Sequence, residues 1–404
     1  MTQDEKTPMR LPPQRWRDGF SAAVPVLDDQ PVRVVFGTGS LHKVGAEARM
    51  LGRRAILIAG QHEDAAAEVV STQLGVNLIG RLREVAQHVP VEVAADAVAR
   101  TREVGADVLI AVGGGSATGL AKAVALETWL PILAVPTTYA GSEMTSIWGV
   151  SDAAGKRTGR DARALPRTVV YDPSLTVSLP REMAAASGMN AVAHAIEALY
   201  APDTTPMLST VAEQAIAALA SALPMVVAQT DDHDARCDAL YGAWLAGWVL
   251  GSTTMGLHHK LAHVLGGTYR LPHAGVHSAL LPHVAAYNAP AAVPQFTRAA
   301  RALGVPAAEY VGAALFDLAT RVGAPTSLGQ LGLRQDTIEQ VAATVATGDV
   351  ANPRAITGPD LVRLLRDAYS GTRPQDADSW NAGAAPTQTH DQQRTSSDST
   401  RGEP

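Results

Sequence analysis

Over roughly the first 180 positions, short uninterrupted apolar runs alternate with segments of helical period. The runs PVRVVFGTGS (31–40), RRAILIAG (53–60), LIGRLREV (78–85), ADVLIAVGGGS (106–116), PILAVPTT (131–138) and RTVVYDP (167–173) predict strands. Consecutive apolar residues, rather than alternating ones, mean strands covered on both faces, as in a parallel sheet. Residues 63–74, 91–104 and 117–128 carry helical spacing between them. SIWGVSDAAGKRTGR (146–160) predicts a hairpin turning at 153–155. After Pro180 the pattern changes. Residues 183–200, 207–223 and 234–252 are alanine-rich helix formers with no β-type alternation. The expected architecture is an α/β dinucleotide-binding domain with a mostly parallel sheet over 21–180, then an all-α domain over 181–371. Residues 1–20 are expected to be a flexible segment. The Ser-, Thr-, Gln- and Pro-rich stretch 372–404, whose one large apolar side chain is Trp380, is expected to be a disordered tail.

Composition narrows the classes. Hydrophobic residues make up 46% of 404, enough for a large core. A net charge of −6 argues against nucleic-acid binding, which needs a basic face. The longest apolar runs are too short for a membrane span, so no membrane association is expected. Cys237 is the only cysteine, which excludes an internal disulfide and fits a reducing, cytoplasmic setting.

Candidate chemistry collects in two places. Gly113-Gly114-Gly115-Ser116 follows a buried strand and opens a helix, where backbone N–H groups can hold phosphate and glycines permit close approach. Phe36–Ser40 and Thr137–Glu143 end two other strands with small residues. Ligands of parallel α/β sheets bind at the strands' carboxyl ends, so the three turns point to one dinucleotide site. No carboxylate stands at Gly60 or Gln61, so NADPH is expected beside NADH. The second place is rich in histidine, with six between His258 and His283. His259 and His263 share a helix face, as do Asn190 and His194. Imidazoles at this spacing serve as metal ligands or as proton donors, and spacing alone does not choose.

Four blocks, GGGSATGLAK (113–122), TTYAGSE (137–143), GMNAVAHAIEALY (188–200) and HHKLAHVLGGTYRLPHAGVHSALLPHVAAYN (258–288), resemble the iron-containing alcohol dehydrogenase superfamily. The resemblance covers roughly residues 30–370. It implies the dehydroquinate synthase-like fold, a site between the two domains and a homodimer. Metal-dependent members carry an aspartate where this chain has Asn190, with further ligand positions matching His194, His259 and His273. Their GGGSxxD motif has Gly119 at the aspartate position. A neutral amide is a poorer ligand for a hard cation than a carboxylate. TTYAGSEMT, TGRDARALPRTVVYDP, SGMNAVAHA and GLHHKLAH resemble the maleylacetate reductase branch. That branch reduces maleylacetate to 3-oxoadipate with NADH or NADPH in the degradation of aromatic compounds, without a catalytic metal. The resemblance implies a dicarboxylate substrate, with chloro-substituted forms also in view. It implies His263, His273 and His259 as catalytic groups, and Asn190, His194, Lys260 and Tyr139 as substrate contacts. Arg160, Arg163 and Arg167 are further candidates for the substrate carboxylates. Gly114, Gly115, Ser116, Thr137, Thr138, Ser142 and Lys156 would bind the cofactor. Competing expectations are a metal-dependent alcohol dehydrogenase that tolerates Asn190, a lyase that retains NAD, and a binding protein.

Overall fold

The structure is a computed structural model describing residues 17, 19–26, 31–152, 155–375 and 380. Its first part contains β1 (Phe20–Pro25), β2 (Pro31–Phe36), α1 (Val44–Leu51), β3 (Ala55–Ile58), α2 (Asp64–Leu74), β4 (Leu78–Leu82), α3 (Val91–Glu103), β5 (Val108–Gly113), α4 (Gly115–Thr128), β6 (Ile132–Pro136), β7 (Ile147–Asp152), β8 (Gly155–Arg160) and β9 (Thr168–Tyr171). Seven strands form one sheet in the order β1-β2-β9-β6-β5-β3-β4, parallel except for β1 against β2. Every residue of β3, β5, β6 and β9 is buried. α1 and α2 cover one face with Val44, Ala67 and Val70, and α3 and α4 cover the other with Val98, Leu120 and Val124. The chain leaves β3 outward to β4, then returns past β3 to β5, β6 and β9. This reversal opens a crevice at the carboxyl ends of β3 and β5.

β7 and β8 pair antiparallel as a separate two-stranded sheet. The predicted turn at 153–154 lies outside the described residues, as does the side chain of Lys156. The edge strand β1 was absent from the sequence expectation. FSAAVP has too little apolar pattern to stand out, and the strand exists through pairing with β2 and stacking of Phe20 on Phe36 at 5.4 Å.

Helices follow: α5 (Arg181–Leu199), α6 (Pro206–Ala228), α7 (His233–Ser252), α8 (Leu257–Thr268), α9 (His273–Asn288), α10 (Val293–Leu303), α11 (Val311–Val322), α12 (Ile338–Ala346) and α13 (Gly358–Ser370). α5 is almost wholly buried, enclosed by α6, α7 and α9. α6 has 23 residues, with a mean hydropathy of 1.7 over its most apolar 18, so it is long and apolar enough to cross a membrane, unlike the runs considered in the sequence. Its apolar residues Ile216, Leu219 and Leu223 instead pack into the helical core.

Both chain ends depart from expectation where they are described. Arg17 forms ion pairs with Asp234 (3.1 Å) and Asp238 (2.5 Å) on α7. Trp380 is buried, its ring 5.1 Å from that of Tyr287 and flanked by the guanidinium groups of Arg354 and Arg363. An indole that finds an apolar slot and two cations docks even from a polar stretch. The rest of the predicted tail, residues 376–379 and 381–404 with His390, lies outside the described residues.

Candidate active site

A cleft of about 1290 Å³ runs from the carboxyl ends of β3 and β5 to the helices α5, α8 and α9. Pockets for drug-sized ligands span roughly 300–1,000 Å³, so this one has room for a dinucleotide and a small substrate together.

The sheet end of the cleft is built by the glycine turn. Gly113 has φ +145°, a conformation that favours glycine, and an added Cβ there would meet Ala117 Cβ at 2.9 Å. A Cβ on Gly114 would press on Thr138 Cγ2 at 2.8 Å. Gly114 caps α4 without a side-chain hydrogen bond, so the first-turn N–H groups face the cleft without side-chain acceptors. Gly114, Gly115, Ser116, Thr138 and Ser142 all line it. The Ser142 hydroxyl is buried with no protein partner. These features fit a dinucleotide phosphate. Beneath them the buried Lys122 donates to the carbonyls of Ser142, Thr145 and Ile147, each at 2.7 Å, and ties α4 to the loop after β6.

Two expectations are corrected at this end, and a further observation bears on the cofactor. Thr137 does not line the cleft, and its hydroxyl bonds the Glu63 carboxyl. Tyr139 is fully buried, its hydroxyl directed to Thr176 at 3.4 Å, and cannot touch substrate. Successive residues of an extended segment face opposite ways, so Thr138 and Ala140 reach the cleft while Tyr139 enters the core. Carboxylates do line the cleft near Gly60. Glu63 and Glu84 stand there, and burial raises the Glu63 carboxyl above its ordinary range.

At the helical end, α5 presents Asn190, His194 and Glu197 on one face by i, i+4, i+7 spacing. α8 adds His258, His259 and His263, and α9 adds His273 and His277. His194 Nδ1 lies 2.9 Å from His259 Nε2, and His194 Nε2 lies 3.2 Å from the carbonyl oxygen of Ala140. His259 Nδ1 bonds the Glu197 carboxyl. His258 Nε2 and His277 Nδ1 form a second pair at 2.8 Å. His263 is exposed in the cleft and stacks on His273, with centroids 6.2 Å apart.

The carbonyl of Ala140 can only accept, so it requires a proton on His194 Nε2. A neutral His194 then accepts at Nδ1 from His259 Nε2–H. That leaves one proton shared between His259 Nδ1 and the Glu197 carboxyl. Burial disfavours the charged form of each group. It holds the His194, His259 and His277 imidazoles well below their usual range, His258 down to about 3, and Glu197 above the usual carboxyl range.

Two further expectations fail here. Lys260 is exposed, its Nζ running beside Gly348 rather than lining the cleft. Arg163 pairs with Asp161 at 2.6 Å and covers the Trp129 ring, and Arg167 is exposed elsewhere. Of the three arginines only Arg160 lines the cleft, donating to the carbonyls of Gly251 (3.1 Å) and Thr253 (2.7 Å) at the C-terminal end of α7. Glu197 was not among the residues singled out in the sequence, and His277 was counted in the histidine cluster without a role of its own. The signal for Glu197 was its place three residues after His194 in a helix already carrying Asn190.

Residues 31–173 match the iron-containing alcohol dehydrogenase family, and residues 184–369 match the C-terminal region of the Fe-containing alcohol dehydrogenase family. Maleylacetate reductases of Sphingobium indicum and Burkholderia cepacia are each 48% identical, covering 86% and 88% of this chain and 98% of their own length. The chain belongs to the iron-containing alcohol dehydrogenase family, among the relatives of its maleylacetate reductases. The crystal structure of maleylacetate reductase from Agrobacterium tumefaciens superposes with a TM-score of 0.82 at 42% identity, covering 87% of this chain and 99% of that one. A 1,3-propanediol oxidoreductase of 28% identity superposes at 0.80 over 87% of this chain and all of that one.

The family's name raises the question of iron. Asn190 offers an amide oxygen, buried and without a protein partner. His194 and His259 spend facing nitrogens on each other. Among the described residues no three His, Cys, Asp or Glu side chains are arranged to hold a metal ion. The donor set does not fit the group.

Proposed function

We propose that this member of the family is a maleylacetate reductase, reducing the carbon–carbon double bond of maleylacetate to 3-oxoadipate at the expense of NADH or NADPH, with no catalytic metal. The observation that carries the proposal is one cleft joining a phosphate cradle at the start of α4 to a histidine cluster whose first ligand position is an amide. Relatives at 48% identity over nearly their whole length support the substrate class.

When bound, the reduced nicotinamide supplies a hydride, which adds to the alkene carbon β to the ketone. The first turn of α4, with Ser116, Thr138 and Ser142, holds the cofactor phosphates. Lys156 is a further cofactor contact by family position. Charge then develops on the ketone oxygen as an enolate, and hydrogen-bond donors in the cleft stabilise it. His263 and His273 face the cleft and deliver the proton to the α carbon. Asn190 orients the substrate. Arg160 attracts a substrate carboxylate, since a guanidinium matches that geometry. His194 and His259 act behind these groups, because both nitrogens of each are committed.

The chain divides near residue 180 into cofactor and substrate domains, and works as a cytoplasmic homodimer in the breakdown of aromatic compounds. The test is loss of NADH absorbance with freshly prepared maleylacetate, using protein treated with EDTA. Turnover that survives the chelator supports the proposal. No turnover, with metal-restored activity on simple alcohols, would refute it.

A further inference from the structure

Glu197 is the one carboxylate inside the histidine cluster, and it does two things at once. It bonds His259 Nδ1, and it accepts the backbone N–H of His258 at 2.8 Å. The second bond lies in the first turn of α8. Gly256, the residue capping that helix, has no side chain to do so, and a Cβ there would strike the carbonyl oxygen of Ala351. Glu197 therefore caps α8 from a different helix. One side chain, itself 1% exposed, sets both the start of the helix that carries His258, His259 and His263 and the orientation of the His259 ring.

From this geometry we infer that Glu197 is a positioning residue for the reduction: it holds α8 and the His259 ring in register with α5. It does not touch the substrate. The inference rests on the proposed reaction only for its kinetic test. A glutamine at 197 has the same reach as the glutamate and meets both partners. Its amide nitrogen donates to His259 Nδ1, and its oxygen accepts from His258 N. An aspartate keeps the carboxyl but is one methylene short of both partners. The chemistry of the carboxyl and its reach are thereby separable.

Glu197→Gln and Glu197→Asp are compared with the wild-type protein. E197Q is expected to keep kcat within about fivefold. E197D is expected to lower kcat by roughly 10- to 100-fold, the scale of a misplacement near 1 Å. NADH affinity, read by fluorescence titration, is expected to stay unchanged in both variants. That result separates a shifted cluster from a damaged fold. Wild-type kcat in E197D would overturn the inference, and so would an E197Q as impaired as E197D. Proton NMR gives a readout that needs no substrate. The Glu197–His259 hydrogen bond is expected to produce a far-downfield exchangeable resonance in the wild type that is missing from E197D. Its absence from the wild type, or its persistence in E197D, would overturn the assignment. A wild-type protein inactive on maleylacetate but showing this resonance pattern would refute only the proposed reaction.

Discussion

Gly247→Ala tests how the helical part holds the cofactor loop in place. Gly247 sits in α7 directly under Gly141, and a Cβ there would meet the Gly141 carbonyl oxygen at 2.6 Å and its Cα at 2.9 Å. Gly141 has φ +77° and its backbone has no flexible end to swing aside. Relief to an ordinary 3.4 Å contact moves the loop by about 0.8 Å. That loop carries the Ala140 carbonyl facing His194 and the Ser142 hydroxyl in the cleft. Overpacking of this kind costs about 1–3 kcal/mol. At a few degrees per kcal/mol the melting temperature should fall by about 2–8 °C. Displacing the Ala140 acceptor should lower kcat by roughly 10- to 100-fold. Gly242→Ala is the control on the same helix. Its Cβ meets Leu219 Cγ at 2.8 Å and Ala218 Cβ at 3.2 Å, so it overpacks a contact with α6 away from the loop. It should cost stability with little change in kcat. Scanning calorimetry and NADH-coupled kinetics on both variants decide the matter. A G247A protein with wild-type kcat and melting temperature would show that this contact does not position the loop.

His263→Ala should lower turnover at least tenfold while NADH affinity, measured by fluorescence quenching, stays within about twofold, because the ring faces the substrate end of the cleft. Asn190→Asp supplies the carboxylate that the donor set lacks, so titration calorimetry should show a gain in Zn²⁺ or Fe²⁺ affinity over the wild type; no gain would mean that the histidine pairing alone excludes the ion. Trp380→Ala should lower stability by about 1–2 kcal/mol, less than for an indole fixed in the core because the freed segment regains entropy, and should leave kcat unchanged. Stability should also fall with acid. Burial lowers the His283 pKa to about 4, so between the ordinary imidazole value of 6.5 and about 4 the unfolded chain binds a proton that the native protein does not. Stability therefore drops as pH falls through this window, on the order of 1 kcal/mol per pH unit for this group, and His283→Phe should flatten the slope in urea titrations.

The parallel strands were legible because β3, β5, β6 and β9 are buried on both faces and read as continuous apolar runs. β1 was not, since an edge strand of small residues is defined by its partner. Within the site, Asn190, His194, His259, His263 and His273 were recoverable from helical spacing and motif order. Tyr139 was misplaced because its neighbours in the sequence line the cleft while its own side chain alternates into the core. Lys260 shares a turn with His259 but points to the opposite side of α8, where it is exposed. Glu197 was passed over because a single helical carboxylate is ordinarily solvated. Only the packing of α5 among α6, α7 and α9 makes it a buried partner of α8. Trp380 was lost to the composition of its surroundings, which does not report that Tyr287, Arg354 and Arg363 lie within reach.

The amide at position 190 makes electrostatic sense for the proposed substrate. A dicarboxylate entering this cleft brings two negative charges to a site where the carboxyl behind the histidines, Glu197, is pushed toward its neutral form by burial. The nearby cation is Arg160, in the cleft wall. An aspartate at 190 without a metal would add an anion facing the substrate, and in a site of low dielectric that repulsion amounts to several kcal/mol. An aspartate with a divalent ion would cancel the repulsion but would require His194 and His259 to give up each other's nitrogens. Asparagine avoids both outcomes. It keeps the shape of the ligand, leaves the histidine pair intact, and lets Arg160 meet the substrate instead of an internal carboxylate. On this argument the amide and the His194–His259 bond are two parts of one adaptation. Asn190→Asp should then weaken substrate binding even where it gains a metal ion.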